Sequence, residues 1–155
     1  MNKPASVPEK PSYTAADVTV VVTTVDISHM AIHAVVRSIL EHEVKALIIT
    51  TAGSGIPAQI SSFNTVFRDQ RILLLHRAEP NQHEQTAAAM KHVTTRLLVL
   101  SNDHTYWPSS PRFLPSLLAP FEDPKVGAVS PITPSHSADS GTSGERFISN
   151  NMAAR

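Results

Sequence analysis

Asn102, Asp103 and His104 follow the apolar run 97–100 and are the residues of this sequence best suited to chemistry. An amide, a carboxylate and an imidazole in succession could hold a divalent cation or accept hydrogen bonds from hydroxyl groups. They could equally form a polar loop in which Asp103 caps a turn at the end of a strand. Two interpretations are therefore open: a metal and nucleotide site, or an ordinary polar loop at the end of a strand. The surrounding elements must decide between them.

The bulk composition excludes several classes of function. Thirteen basic residues balance thirteen acidic ones, so no net field would attract nucleic acid or an anionic membrane, and we expect no nucleic-acid partner. The absence of cysteine excludes disulfides, thiolate metal sites and cysteine nucleophiles. The N-terminus has no apolar signal region, and no uninterrupted apolar window of about 18 residues exists, which predicts a soluble chain as written.

The chain divides into three parts by composition. Residues 1–17 contain three prolines and predict a flexible leader, residues 18–131 predict one α/β domain, and the serine-rich residues 132–155 predict a disordered tail.

Within the predicted domain, apolar β-branched runs alternate with helical patterns. The runs typical of buried strands are 18–24, 44–53, 71–76 and 96–100, with a fifth short strand expected at 125–130. This alternation predicts right-handed βαβ units, hence a mostly parallel sheet with helices on both faces.

Helix boundaries follow from capping residues. Asp26 or Ser28 is the expected N-cap of the first helix, and Asn81 that of the third. Pro57 is expected in the first turn of the second helix, and a further helix is expected around residues 111–120.

In an open parallel sheet, a ligand lies beyond the carboxyl ends of the strands, where loops and helix N-termini converge. The loops there are the most polar parts of the chain: 23–28, 50–55, 76–82 and 101–108.

Several of these segments resemble the nucleotide-binding half of family 2 glycosyltransferases. The matching segments, in order, are DVTVVVTTVD, LIITTAG, ILLLHRAEPNQHEQTAAAMKHVTTRLLVLSNDHTYWP and LLAPFEDPKVGAVSP. The likeness covers roughly residues 11–131, and it is strongest to the fungal polysaccharide-synthase branch, related to hyaluronan, chitin and cellulose synthases. It implies a Rossmann-like GT-A fold and transfer of a sugar from a UDP-sugar, with a divalent cation held at a D-x-D motif.

The resemblance assigns roles to individual positions. Thr24 and Asp26 stand where the family contacts uracil, and Asp103 can face the ribose of UDP or the metal. Asn102, Asp103 and His104 stand at the D-x-D position and are the expected ligands of Mn²⁺ or Mg²⁺. An imidazole suits manganese better than magnesium, and an amide supplies no charge, so the implied metal site is degenerate.

Other positions depart from the family pattern. A proline before Thr24 is replaced by Thr23, an aspartate at the end of the second strand by Thr51, and a basic pair opening the third helix by residues 82–84, Gln-His-Glu. The family's catalytic base, its Gln-x-x-Arg-Trp segment and its transmembrane helices have no counterpart, so the catalytic residue is unknown.

These departures leave three hypotheses open. The chain is a truncated donor-binding domain with weak or no activity alone, a non-catalytic α/β remnant or interaction domain that binds no nucleotide, or part of an incomplete coding region. Membrane association is expected only if a longer chain carries the missing helices.

The other candidate motifs give weaker evidence for a functional site. Trp107 is expected to be a packing anchor, and His29 with His33 has zinc-like spacing but no third ligand. Residues 51–55 match neither glycine-rich phosphate motif, and no G-x-S-x-G elbow supports a serine hydrolase.

Overall fold

The computed structural model describes residues 6–53 and 56–130. The chain forms two compact units, one of Thr14–Pro111 and the other of Met1–Tyr13 with Arg112–Arg155. The predicted disorder of residues 132–155 falls outside the described residues, and the domain limits stay a prediction.

The larger unit is built on a parallel sheet of four strands in the order β3-β2-β1-β4. A single 3-10 turn, Ala15–Asp17, precedes the first strand. The strands are β1 (Val18–Thr24), β2 (Ala46–Ala52), β3 (Ile72–Arg77) and β4 (Leu97–Asn102), and they alternate with α1 (Met30–Leu40), α2 (Ile56–Val66) and α3 (Gln82–Met90). The predicted α/β class with a parallel sheet is confirmed, and Pro57 lies in the first turn of α2 as expected.

The core lies on both faces of the central strands. On one face Val21 and Ile48 pack with Ala89 of α3. On the other face Val20 and Val22 of β1 are fully buried as well. Because side chains alternate along a strand, the continuous β-branched run of β1 is the pattern of a strand covered on both sides.

The first helix begins later than predicted, and the expected N-cap is wrong. His29 is the N-cap of α1, with Nδ1 accepting the backbone N–H of Ala31 at 3.1 Å. Asp26 instead closes a turn, because its carboxylate accepts the backbone N–H of Ser28 at 2.9 Å and also the Ser28 hydroxyl. The Ser28 hydroxyl and then its N–H hold the pKa of Asp26 below the ordinary value. Asp26 is thus committed to the turn before the helix.

The smaller unit contains α4 (Phe113–Leu118) and a following 3-10 helix, Ala119–Glu122. The helix predicted around 111–120 is therefore confirmed, and a 3-10 helix continues from its last two residues to Glu122. Ser12 joins the N-terminal segment to this helix pair, since its N–H and its hydroxyl each donate to the Glu122 carboxylate at 2.7 Å.

The fifth strand expected at 125–130 is wrong, because no strand forms there. Asp123 takes the local backbone donors instead, accepting the N–H of Lys125 on its carboxylate at 2.9 Å and that of Val126 on its carbonyl at 3.0 Å. A turn of this kind competes directly with strand pairing. Within the described parts of the chain, no helix combines the length and apolar character that a bilayer span requires.

The N-terminus of α3, which borders the site described below, depends on Asn81. Its side-chain oxygen accepts the backbone N–H groups of His83 at 3.0 Å and Glu84 at 3.3 Å. We expect Asn81→Ala to lower the free energy of unfolding by about 1 kcal/mol, since both donors lose their partner, whereas Asn81→Ser keeps an N-cap acceptor. Urea unfolding followed by circular dichroism checks this, and equal stability of the two variants would contradict it.

The start of β3 is held by an ion pair between Asp69 and Arg71. Arg71 donates from Nη2 to the Asp69 carboxylate at 2.7 Å, and from Nη1 to the carbonyl of Leu40 at the end of α1 at 3.3 Å. The hydrogen bonds from the Arg71 side chain hold the pKa of Asp69 below its ordinary 3.8.

We expect Asp69→Asn to lower the free energy of unfolding at pH 7 by up to about 1 kcal/mol, since both side chains are partly exposed. A carboxyl whose folded pKa is depressed stabilises the fold above its unfolded pKa, and that contribution is lost as the pH falls through the folded value. The stability difference between the two proteins should therefore disappear in strong acid. Unfolding curves at pH 7 and pH 3 should already show the difference shrinking, because the unfolded carboxyl is mostly protonated at pH 3, and a difference that is constant with pH would refute this.

Candidate functional site

A cavity of about 340 Å³ opens at the carboxyl ends of β1 and β4. Its wall comes from the end of β1, the loop entering α3, α3 itself, and the segment that ends β4: Thr23, Thr24, Val25, Pro80, Gln82, Gln85, Asn102, Asp103 and His104. It lies at the edge of the sheet where the topology predicts a ligand, and its size is at the small end of ligand pockets.

The link between Thr24 and Asp103 organises this cavity. Parallel pairing sets Thr23 opposite Asn102, so the next residues of the two strands meet as the strands end. Thr24 Oγ1 donates to Asp103 Oδ2 at 2.8 Å and accepts the backbone N–H of Asp26 at 3.2 Å. Thr24 is only 4% exposed, so its hydroxyl is held in place and in turn orients the carboxylate.

The second oxygen of Asp103 faces the imidazole of His104. Nδ1 of His104 lies 2.9 Å from Asp103 Oδ1, and the His104 side chain is 75% exposed against 33% for Asp103. Both carboxylate oxygens are thus engaged by protein groups, but on the Oδ1 side the partner is a ring that is largely exposed to solvent. A ligand can displace that ring at little cost, whereas the Thr24 bond is the anchored one.

Gln85 of α3 forms hydrogen bonds with the ends of two strands. Its Nε2 donates to the carbonyl oxygens of Thr24 at 2.9 Å and Thr50 at 2.8 Å, and the residue is 2% exposed. These bonds satisfy carbonyls at the carboxyl end of the β1–β2 pair. The sequence analysis did not identify Gln85, although its spacing of four residues from both Asn81 and Ala89 would place it on the inward side of α3.

The cavity wall carries almost no charge. Among the described residues, Asp103 is the one formally charged residue that lines it, and neither lysine nor arginine does. The basic pair of the family pattern is replaced by residues 82–84, and Glu84 lies 3.9 Å from Arg77 in an exposed pair. A diphosphate would meet a carboxylate here and no lining cation, so it needs a counter-ion of its own.

The predicted metal ligands do not form a complete site by themselves. The described residues contain no group of three His, Cys, Asp or Glu side chains that could hold an ion. Asp103 and His104 offer one carboxylate and one imidazole, and Asn102 adds an exposed amide. These three side chains fit an ion only if phosphate oxygens and water supply most of the ion's other ligands.

The other residues considered in the sequence lie away from this cavity. The carboxylate of Asp26 is in the turn with Ser28, and Asp26 reaches Thr24 through its backbone, with its N–H at 3.2 Å and its carbonyl oxygen at 3.4 Å from Thr24 Oγ1. Thr51 is fully buried, with Oγ1 lacking a partner. Trp107 is 6% exposed, which confirms the expected packing role. Its backbone N–H donates to Ser38 Oγ.

The two histidines whose spacing could suit a zinc ion have structural roles instead. His29 caps α1, and the ring of His33 packs edge-on against Phe63 and Phe67.

A larger cavity, of about 560 Å³, lies at the C-terminal ends of α1 and α2. It is remote from the carboxyl ends of the strands, and its Asp69 is already paired with Arg71. The smaller cavity is therefore the better candidate, because it alone of the two joins the predicted residues.

Comparison with known proteins identifies the family and the fold. The sequence model described as "Glycosyl transferase family 2" matches residues 19–151. A type 2 glycosyltransferase of Pyricularia oryzae is 32% identical over 82% of this chain and 26% of its own length. One from Gibberella zeae is 34% identical over 82% of this chain and 24% of its own. The chain thus spans about a quarter of the length of these relatives.

A solved structure shares the fold. The mannosyltransferase PcManGT from Pyrobaculum calidifontis, in complex with GDP-Man and Mn²⁺, has a TM-score of 0.68 at 22% sequence identity, over 85% of this chain and 39% of its own. The parallel sheet with its helices is therefore the GT-A arrangement.

The bond from Thr24 to Asp103 predicts a selective effect of removing one hydroxyl. Thr24→Val should lower the free energy of unfolding by about 1 kcal/mol, because a part-buried hydrogen bond to a carboxylate is lost, while Thr24→Ser keeps the donor and should recover most of it. Denaturant unfolding of the wild type and both variants measures this. A serine variant no better than the valine variant would show that the methyl group matters and the hydroxyl does not.

Proposed function

This chain belongs to glycosyl transferase family 2, and on that premise we propose that its α/β unit binds a UDP-sugar, the donor in a glycosyl transfer, at the Thr24–Asp103 cavity. The observation that carries the proposal is the direct bond between Thr24 and Asp103, which brings two separately predicted nucleotide contacts to one cavity. The overall GT-A arrangement supports the same placement.

Different residues would contact the base, the ribose and the phosphates. Asp103, oriented by Thr24, accepts hydrogen bonds from ribose hydroxyls, displacing the exposed ring of His104. Asp26 contributes through its backbone N–H, which fixes the Thr24 hydroxyl beside the base. Val25, exposed at the cavity wall, offers the apolar surface that a base needs on one face.

The phosphates would be accommodated with a divalent cation. Asn102, Asp103 and His104 are the residues that would hold Mn²⁺ or Mg²⁺, together with oxygens of the diphosphate. Such an ion supplies Lewis-acid neutralisation of the leaving diphosphate. The lack of lysine and arginine in the described wall supports this, because no side chain there supplies a positive charge to do the same.

Sugar transfer by this chain alone is not expected. A general base must lie within hydrogen-bond reach of the acceptor hydroxyl, and the one carboxylate lining the described cavity, Asp103, is bonded to Thr24. We propose that transfer requires further residues of a longer protein. A polysaccharide acceptor and membrane attachment are proposed for that protein only, on the sequence resemblance.

Calorimetric titration with UDP, with and without Mn²⁺, tests the site. We expect weak binding that Mn²⁺ strengthens at least tenfold, that Asp103→Asn abolishes, and that Glu41→Gln leaves unchanged, since Glu41 lines the remote cavity. Titration with Mn²⁺ alone should give little heat, because the ion needs the phosphates to complete its ligands.

Two outcomes would overturn the proposal. A folded sample that releases no heat at millimolar UDP with Mn²⁺ would favour the alternative, a non-catalytic α/β or interaction domain that binds no nucleotide. Equal binding by the Asp103→Asn variant would place the nucleotide elsewhere.

A further inference from the structure

We infer that Gln85 selects the base of the nucleotide, by presenting its side-chain oxygen Oε1 as a fixed acceptor for a ring N–H. The inference rests on the proposed nucleotide site and deepens it, since it names the class of base that the cavity takes. Uracil, with its N3–H, is the base that we assign.

The orientation of the Gln85 amide is fixed by its neighbours. Nε2 has two hydrogens, and it lies within hydrogen-bond distance of two carbonyl oxygens, those of Thr24 and Thr50. The reversed amide would set Oε1 against both carbonyls with no hydrogen between them, which is repulsive. The nitrogen is therefore saturated and the oxygen cannot exchange places with it.

The remaining polar atom of that side chain is left for a ligand. Oε1 accepts no hydrogen bond from the part of the chain that the structure describes, although Gln85 is 2% exposed. It is also not among the fully enclosed polar atoms without a partner. Since Gln85 lines the cavity, the place where Oε1 remains accessible is the cavity itself.

A fixed acceptor discriminates between bases by their hydrogen-bonding edges. Uracil and guanine carry a ring N–H there, whereas cytosine and adenine carry a ring nitrogen that is itself an acceptor. An acceptor held against an acceptor leaves both unsatisfied, and a rigid side chain cannot turn to relieve it. The small volume of the cavity, about 340 Å³, favours the pyrimidine of the two permitted bases.

Gln85 also accounts for the substitution at Thr51. The aspartate expected there by family resemblance would accept the uracil N–H, but Thr51 is fully buried and does not line the cavity. Gln85 approaches from α3 and bonds the carbonyl of Thr50, the residue directly before it. An acceptor is thus supplied at the same end of β2 by a different element.

The first arm of the test uses the unmodified chain with Mn²⁺. We expect UDP to bind about tenfold more tightly than CDP, and the N3-methyl derivative of UDP to bind at least tenfold more weakly than UDP, because its methyl group replaces the N–H. GDP should bind more tightly than ADP for the same reason.

The second arm uses matched glutamine variants. Gln85→Met keeps the length of the side chain without the amide and should bring the ratio of UDP to CDP affinity close to one. Gln82→Met alters another glutamine of the same wall, at its exposed side, and should leave the ratio unchanged. A purely structural role for Gln85 would weaken both nucleotides equally and preserve the ratio.

The outcomes separate the two proposals. Binding of UDP with full tolerance of the N3-methyl group overturns the role of Gln85 and leaves the proposed function standing, whether or not the methionine variant folds. Loss of the ratio in Gln82→Met rather than in Gln85→Met assigns base selection to Gln82. Absence of binding by every nucleotide overturns the proposed function and this inference with it.

Discussion

The site depends on the parallel pairing of β1 with β4 in one register. With Thr23 opposite Asn102, the next residue of each strand emerges at the same height, and Thr24 can bond Asp103. A shift by one residue would turn every side chain of β4 to the other face and separate the pair. In the observed register Val20 to Val22 are enclosed on both faces, and Thr24 and Asp103 follow where the buried part of the strand pair ends. Hydrophobic burial in the strand interior thus sets the position of polar groups at its end.

Polar side chains then tie together elements that the sheet alone would leave loose. Thr24 is bonded through its hydroxyl to Asp103 and through its carbonyl to Gln85, so β1, β4 and α3 meet at one residue. The carbonyl of Thr50 extends the same cluster to β2. Groups held in this way need little reorganisation when a ligand arrives, which is the usual advantage of a site placed at the ends of secondary structure. The exposed ring of His104 is the exception, since its Nδ1 lies against Asp103 while most of the side chain faces solvent.

The fold class, the four strands and the Asn81 cap could be predicted because each depends on local pattern: apolar runs, helical spacing and a capping side chain. Two local predictions were wrong for a related reason. Asp26 and Asp123 each bond backbone donors two residues ahead, and such turns compete with helix starts and strands in ways that composition does not reveal. The contact between Thr24 and Asp103 was predicted only in part. The sequence placed both residues at the carboxyl ends of parallel strands, which converge, but it did not predict the hydrogen bond between them. Gln85 was missed because its role comes from carbonyls 61 and 35 residues away in the chain.

The near absence of charge on the cavity wall bears on how fast a nucleotide is captured. A basic funnel accelerates the approach of an anion by focusing its path, and the acceleration falls steeply as salt is added. The described part of the wall presents one carboxylate and no lysine or arginine, so under the proposed function a free diphosphate would approach without attractive electrostatic steering. Association then proceeds at the slower rate of an unguided encounter and depends little on ionic strength. Under the proposed function, the species expected to enter most readily is one whose phosphate charge is already neutralised in solution, so the metal complex, rather than the free nucleotide, would be the kinetic substrate of this cavity.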